Sequence, residues 1–506
     1  MEILWTEQSS YPILAVLQVL PLLGVVWVWL FRKSDLLEVG AFIIVLLELL
    51  FAVLLYQAFD QNNPAFQFAE RLPIIGPLAY HAAVDGLAVS FVLLTALLGG
   101  IIIIYGPLRV LLPLDRLLML CFACMAIMMS MFVTVDLLWF AVQSIFHALI
   151  VGYLLWFWST SPERDLALRR YSQFMVTGLL LLFIGILFLG WQHATDHQGQ
   201  WGFDLFSLSK LKIEQPMQNW IFFLLFYGLA IRIPLFPFHG WLPLAVQHGS
   251  VAIAPIYLLG LKTGIYGLLR FVFPLFTDAI LEWHQYVMAF AVVGIFYAAL
   301  LAMQQTKLRS MFAYAVVSHT SILIIGLFSL SSIAFQGGII LAINFGLAIS
   351  VLLLMTGLVY RRTKTTTLAK LGNLFDRIPI IAIGFFVGGL AIVGMPGTPG
   401  FDAVHLVLEA SIERFGAVIT IAAAVGNVLA AGFLLLAFQR AFLAPQQAKA
   451  KPLEVEPTLM VETLMTGFLI IILVGIGFYS EPWMELVEQS AKSLNLPYSS
   501  HFPKFH

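Results

Sequence analysis

The stretch Arg232-Ile-Pro-Leu-Phe-Pro-Phe-His-Gly-Trp-Leu-Pro243, followed by Leu261-Lys-Thr-Gly-Ile-Tyr-Gly-Leu-Leu-Arg-Phe271, decides how this chain is read. Both pieces lie in long apolar runs, yet each carries a cation. Pro234 and Pro237 lack the backbone donor that a continuing helix needs, so the first run must break. A second interruption, Gly394-Met-Pro-Gly-Thr-Pro-Gly400, falls in a later apolar run. Non-helical backbone at membrane depth is tolerated only where it is buried in protein or lines a wet cavity. A charge at that depth costs ~2.5–3.5 kcal/mol on insertion scales. Lys262 lies well inside its run and is read as functional, whereas Arg270 reads as an end residue that snorkels to the interface.

Composition places these features in a bilayer. Of 506 residues 61% are apolar and 10% charged, with 43 Phe and 12 Trp, and the mean hydropathy is +0.96. Soluble domains carry about 25% charged residues. A cytosolic enzyme, a secreted domain, a disordered chain and a nucleic-acid binder are excluded. The net charge of −1 offers no field to steer a polyanion. Cys121 and Cys124 sit in an apolar run and read as packing residues. The N-terminus, with Glu2 and Glu7 and no basic region before Tyr11, reads as a retained first helix and not a cleaved signal.

A hydrocarbon core of ~30 Å takes roughly 20 apolar residues per helix. Runs of that kind occupy 11–31, 36–58, 86–106, 115–134, 136–158, 171–190, 217–238, 248–273, 280–303, 310–330, 335–359, 378–399, 412–439 and 459–479. The expectation is an all-α polytopic protein of about fourteen spanning helices forming one integral membrane domain over 1–506. The segments 59–85, 191–216, 440–458 and 480–506 read as loops. With the N-terminus outside, seventeen of the 26 Lys and Arg residues fall inside, among them Lys449 and Lys451. Seven fall outside, including Arg71, Arg270, Arg414 and Lys504, and Arg232 and Lys262 remain within spans. That asymmetry places both termini outside. The two proline breaks, in corresponding places of two halves, point to an ion path built from two inverted five-helix repeats, 115–273 and 280–439.

The same residues carry a resemblance. Arg232–Pro243 with Leu261–Phe271 looks like the centre of the antiporter-like membrane subunits of respiratory complex I and of the Mrp-type cation/proton antiporters. Tyr80-His-Ala-Ala-Val-Asp-Gly86 resembles the start of that family's third helix. Lys307-Leu-Arg-Ser-Met-Phe-Ala-Tyr-Ala-Val-Val-Ser-His319 resembles its tenth-helix motif, in the form typical of the M-type, fourth-subunit branch. Gly394-Met-Pro-Gly-Thr398 resembles its twelfth-helix break. The resemblance implies fourteen helices with two inverted repeats, and proton translocation along a row of buried Lys, His and Glu.

Carried over residue by residue, the eighth-helix Lys is Lys262 and the tenth-helix His is His319. The seventh-helix Lys falls on Arg232, which holds its proton at any accessible pH and can serve only as a fixed charge. The fifth-helix Glu falls near Ile145, leaving Gln143, Ser144 and His147 as polar neighbours. The eleventh-helix His falls on Phe345, beside Asn344, and the twelfth-helix Glu on Val404. Arg232 then needs another partner, and Glu48 is the intramembrane acid that offers one. Asp402, His405 and Glu409 share one helical face, which reads either as a wetted outer helix end or as a substitute exit path facing the cavity of the broken twelfth helix.

His319 also reads as a core histidine bonded to Ser318 or Ser321. His239 and His248 lack the companions of a metal site. No phosphate loop, haem-ligand pair or iron–sulfur cysteine set is present, so no cofactor is expected and electron transfer falls to a partner. The leading expectation is a proton-translocating subunit with no redox centre, working with other membrane subunits, a cytoplasmic or peripheral enzyme subunit and the lipid bilayer, and not with nucleic acid. A membrane subunit of a proton-driven inorganic-carbon accumulation complex is the alternative, and a non-conducting structural spacer is the other.

Overall fold

The computed structural model describes residues 11–76, 78–446 and 455–501. Glu2, Glu7, Lys449, Lys451 and Lys504 lie outside the described residues. Helices α1 (Ile13–Leu30), α2 (Leu36–Ala58), α3 (Gly86–Leu108), α4 (Leu114–Val133), α5 (Leu137–Phe157) and α6 (Arg164–Asp196) run up and down in chain order. The short α7 (Leu205–Leu208) leads to α8 (Gln215–Arg232) and α9 (Leu242–His248), the two pieces of the seventh apolar run. The eighth run is divided into α10 (Ile253–Leu259), α11 (Thr263–Gly267), a π-helical turn (Leu268–Val272) and α12 (Phe273–Leu275). Then come α13 (Thr277–Met303), α14 (Leu308–Leu327), α15 (Ser332–Thr363), α16 (Pro379–Val393), α17 (Gly400–Phe415), α18 (Ala417–Phe438), α19 (Met460–Phe478) and α20 (Glu481–Asn495). Among the described residues 12 helical segments are long and apolar enough to cross a membrane. The shorter apolar α16 and the 18-residue α8, whose first turns are polar, occupy the other two expected runs.

Helix α15 is the axis of the second half. It is buried along most of its length and packs on α14, α16, α17 and α20. Gly346 brings it close against another backbone: a Cβ there would stand 2.0 Å from the carbonyl oxygen of Gly260, at the gap between α10 and α11.

Three expectations about irregular segments are corrected. Segment 59–85 contains an antiparallel hairpin, β1 (Gln67–Ile75) and β2 (Leu78–Val84), so the fold is not helical throughout. The hairpin is tied to α1, because Leu14 N–H donates to Glu70 Oε1 at 3.0 Å and Tyr80 O–H to Glu70 Oε2 at 3.1 Å. The tail 480–506 carries α20, whose Leu486, Val487, Ala491 and Leu494 face inward at helical spacing. The eighth run is not one helix. Its gap falls at Gly260–Lys262, with Lys262 at φ +27°, a strained value for a residue with a side chain.

The hairpin, α20 and the N-terminal end of α1 share one face of the helical layer, called here the hairpin face. On the opposite face basic residues do packing work. Arg361 and Arg362 grip the fully buried Glu462 at 3.0 and 2.5 Å. Arg309 donates to the carbonyl oxygens of Gly249 (2.7 Å) and Ser250 (2.9 Å), just past the end of α9.

Candidate functional site

The interruptions in α8–α9, α10–α11 and α16–α17 bring a row of polar side chains into the protein interior. Arg232 ends α8, because Pro234 and Pro237 forbid another turn. Its Nη1 donates to Ser144 O at 3.3 Å, and its Nη2 to Thr263 Oγ1 at 3.0 Å and to His147 Nδ1 at 3.5 Å. These partners are neutral. Because His147 Nδ1 faces a donor, the ring presents its lone pair there, and its Nε2 is buried without a partner.

Thr263 is next in sequence to Lys262, whose Nζ donates to Thr320 Oγ1 at 3.0 Å and lies 4.2 Å from the centre of the Phe345 ring. An ammonium has three donors, so one hydroxyl and one aromatic face leave it incompletely satisfied. The C-terminal carbonyls of α10 stand just before it and supply partial negative charge. Arg232 sits in the same way on the last turn of α8.

Thr320 is next to His319. Ser318 and Ser321 spend their hydroxyls on the carbonyls of Ile295 and Val317, so neither holds His319, whose Nε2 is buried and unpartnered. The His319 ring lies 5.4 Å from that of Phe345. Phe345 therefore contacts both Lys262 and His319, where the family resemblance implied a histidine. Its neighbour Asn344 donates to Ala391 O at 3.0 Å, on the last turn of α16, and keeps a buried, unpartnered Oδ1. The row thus runs from His147 through Arg232, Thr263, Lys262, Thr320 and His319 to Asn344 at the third break.

Thr263 and Thr320 were missed by the sequence reading. Their only signal is that each adjoins a motif residue. Four other placements are corrected or decided. The fifth-helix residues facing Arg232 are Ser144 and His147, and Ile145 points along a neighbouring, half-buried direction. Glu48 is 1% exposed, but it lies on α2, which packs on α1 and α3 and not on α8, and neither of its oxygens has a partner. It is not the counter-ion of Arg232.

Asp402, His405 and Glu409 share one face of α17, as their spacing requires, but that face turns away from the row. Ala403, Val404, Val407 and Ala410 take the inward positions, so Val404 looks toward the break. His405 Nδ1 lies 3.8 Å from Glu409 Oε2, and the two side chains are 72% and 43% exposed. Arg270 is no snorkelling end residue. It is 4% exposed and paired with Asp85.

The other candidates are structural. His248 contacts Ser161 Oγ at 2.9 Å and Glu163 Oε2 at 3.2 Å. Cys121 and Cys124 are buried thiols. Among the described residues no group of three His, Cys, Asp or Glu side chains is placed to hold a metal.

The family model for the membrane domain of the NADH:quinone oxidoreductase/Mrp antiporter proteins matches residues 136–430, which contain every member of the row. The NADH-quinone oxidoreductase subunit M of Rickettsia felis is 31% identical over 451 residues, covering 85% of this chain and 88% of the relative. That of Pseudomonas aeruginosa is 31% identical over 431 residues, covering 82% and 81%. In fold, the chain superposes on a chain of respiratory complex I from Thermus thermophilus with a TM-score of 0.82 at 23% identity, covering 94% of this chain and 99% of that one. It superposes on a chain of the Mrp complex of a Dietzia species with a TM-score of 0.85 at 17% identity, covering 96% and 97%.

Proposed function

The chain belongs to the NADH:quinone oxidoreductase/Mrp antiporter membrane family, and from that premise we propose that it is an M-type, proton-translocating subunit of a multi-subunit NADH:quinone oxidoreductase. One observation carries the reading: Lys262 places a titratable amine at a helix break, held by neutral groups, in the middle of a buried polar row. Arg232 is its fixed electrostatic neighbour, His319 and His147 are the remaining groups that can carry a proton, and a peripheral enzyme subunit supplies the redox chemistry. The named relatives are subunits of this kind and favour it over the inorganic-carbon and spacer alternatives.

The segments 115–273 and 280–439 act as two inverted repeats in this proposal, supported by one proline-broken helix in each. The hairpin face lies outside, supported by the excess of basic residues on the opposite face. A cysteine replacing the exposed Ser499 would then react with an impermeant thiol reagent from outside only. Half-buried Asp402 and exposed His405 and Glu409 lie beside the third break on the outward face of α17, where they act against a neighbouring membrane subunit and not within the row.

The deciding experiment is Lys262→Met in the assembled complex reconstituted into vesicles. The variant should insert and assemble normally but lose proton-coupled turnover. Full coupling in a normally assembled variant would remove Lys262 from the path and the proposal with it.

A further inference from the structure

A cavity of about 470 Å³ lies apart from the buried row, on the hairpin face. Its walls come from the loop at Pro64–Phe66, from Ser209, and from Ser490 and Ser493 of α20. Its floor is an ion pair that the row does not use. Arg270 donates to Asp85 through Nη1 (3.0 Å) and Nη2 (2.5 Å) and to Tyr266 O–H through Nε (3.1 Å), and its guanidinium lies 4.9 Å from the centre of the Phe66 ring.

Burial alone would raise the Asp85 carboxyl, but the Arg270 guanidinium beside it holds it below the usual carboxylate range, so the pair stays ionised. Helix α20 is fastened over the same corner. Ser490 Oγ accepts from Leu87 N–H at 3.2 Å, and a Cβ on Gly86 would stand 1.7 Å from the Leu486 carbonyl oxygen.

Two features connect this floor with the proton path. Lys262, Tyr266 and Arg270 are spaced by four along the eighth run, so the floor stands about 12 Å of helix rise from Lys262. Arg270 also lies in the π-helical turn Leu268–Val272, a local distortion that recurs at functional sites. A sealed ion pair serving only as packing would not require an open cavity leading down to it.

We propose that this cavity is a water-filled mouth on the hairpin face for the path through Lys262, and that the Arg270–Asp85 pair is the gate that closes it at rest. With each ion satisfying the other, water and protons are barred from Tyr266 and the row beyond. Movement of α20 or of the π turn separates the ions and admits water. The inference rests on the proposal that Lys262 carries protons.

The test uses the intact complex in vesicles. Ser493→Cys places a thiol on the cavity wall, while the native Cys121 and Cys124 are buried. A positively charged, impermeant methanethiosulfonate applied to the hairpin face should slow proton-coupled turnover of this variant on the order of tenfold and leave the wild type unaffected. Asp85→Asn should raise the proton leak without substrate on the order of tenfold, and Asp85→Glu should restore tightness. Full labelling of Ser493→Cys with undiminished turnover would reduce the cavity to a surface pit. A wild-type leak in assembled Asp85→Asn would reduce the pair to a clamp. If Asp85→Asn does not assemble, the labelling result decides alone. A Lys262→Met variant that still pumps would overturn the proposed function instead, whereas a dead Lys262→Met with an indifferent cavity would overturn only the gate.

Discussion

A guanidinium with no carboxylate beside it persists at membrane depth here because the end of its own helix and a neighbouring carbonyl act as the anion. Burial of such a charge costs ~2.5–3.5 kcal/mol. A helix C-terminus returns ~0.3–2 kcal/mol, and hydrogen bonds from a charged donor ~1.5–3 kcal/mol each, so Ser144 O, Thr263 Oγ1 and the last turn of α8 suffice for Arg232. What Arg232 supplies to the path is charge and not a transferable proton. Arg232→Lys should therefore keep or raise proton-coupled turnover, and Arg232→Leu should abolish it; wild-type behaviour of Arg232→Leu would make it a packing residue. Loss of function in Arg232→Lys would show that the planar fork itself is needed. The vacant acid position can be refilled. Ser144 is fully buried, its carbonyl oxygen accepts from Arg232 and its Oγ has no partner, so Ser144→Glu should pair with Arg232 and shift the pH profile of turnover, whereas Ile145→Glu should do so less. Equal profiles for both variants would contradict the placement. Lys262 and His319 were legible as motif residues, but Thr320, Phe345 and the orphaned Nε2 of His319 were not, because their roles depend on what α14 and α15 bring to them.

At the scale of elements, close backbone approach holds the broken eighth segment in place. Gly346→Ala would drive a methyl group into the Gly260 carbonyl at 2.0 Å, forcing α15 away from the gap that carries Lys262. Overpacking of that kind costs ~1–3 kcal/mol. The variant should lower the melting temperature of the purified complex, while Gly432→Ala on α18, which meets only open space, should not; equal melting temperatures would mean that α15 adjusts freely. The start of α5 has a pH response of its own. Burial pushes the Asp136 carboxyl up to about 6, with Asp204 raising it further and the Trp139 N–H bond and His81 opposing, whereas an unfolded Asp titrates near ~3.9. The folded value is the higher one, so this stabilisation is full below about pH 4 and is lost as the pH rises through about 6. Asp136→Asn keeps the capping acceptor and removes the titration. It should melt above wild type at pH 7.5 by an amount equivalent to roughly 3 kcal/mol, shrinking to about 1 kcal/mol at pH 4.5; a constant difference at both values would assign the effect to packing.

For the molecule as a whole, the exposed face of α17 is where a single chain is incomplete. His405 and Glu409 stand exposed on a helix that starts at the third break, a poor arrangement against lipid. Asp402→Asn with Glu409→Gln should end proton-coupled turnover while the complex still assembles; unchanged turnover would leave these groups as a wetted outer helix end. The sequence by itself determined the membrane class, the order of the apolar runs, the proline breaks and the identity of Lys262 and His319, because hydropathy, proline chemistry and short motifs are properties of contiguous residues. It misread Arg270 as an end residue, left open which way α17's charged face turns, and left the hairpin, α20 and the gap before Lys262 unseen. Those depend on which residues from distant parts of the chain meet. Asp85 lies 185 positions from Arg270, and Gly346 is far along the chain from Gly260. Only the packed tertiary structure decides which way a helix turns its faces, because the energy that fixes the rotation comes from its neighbours and not from the helix itself.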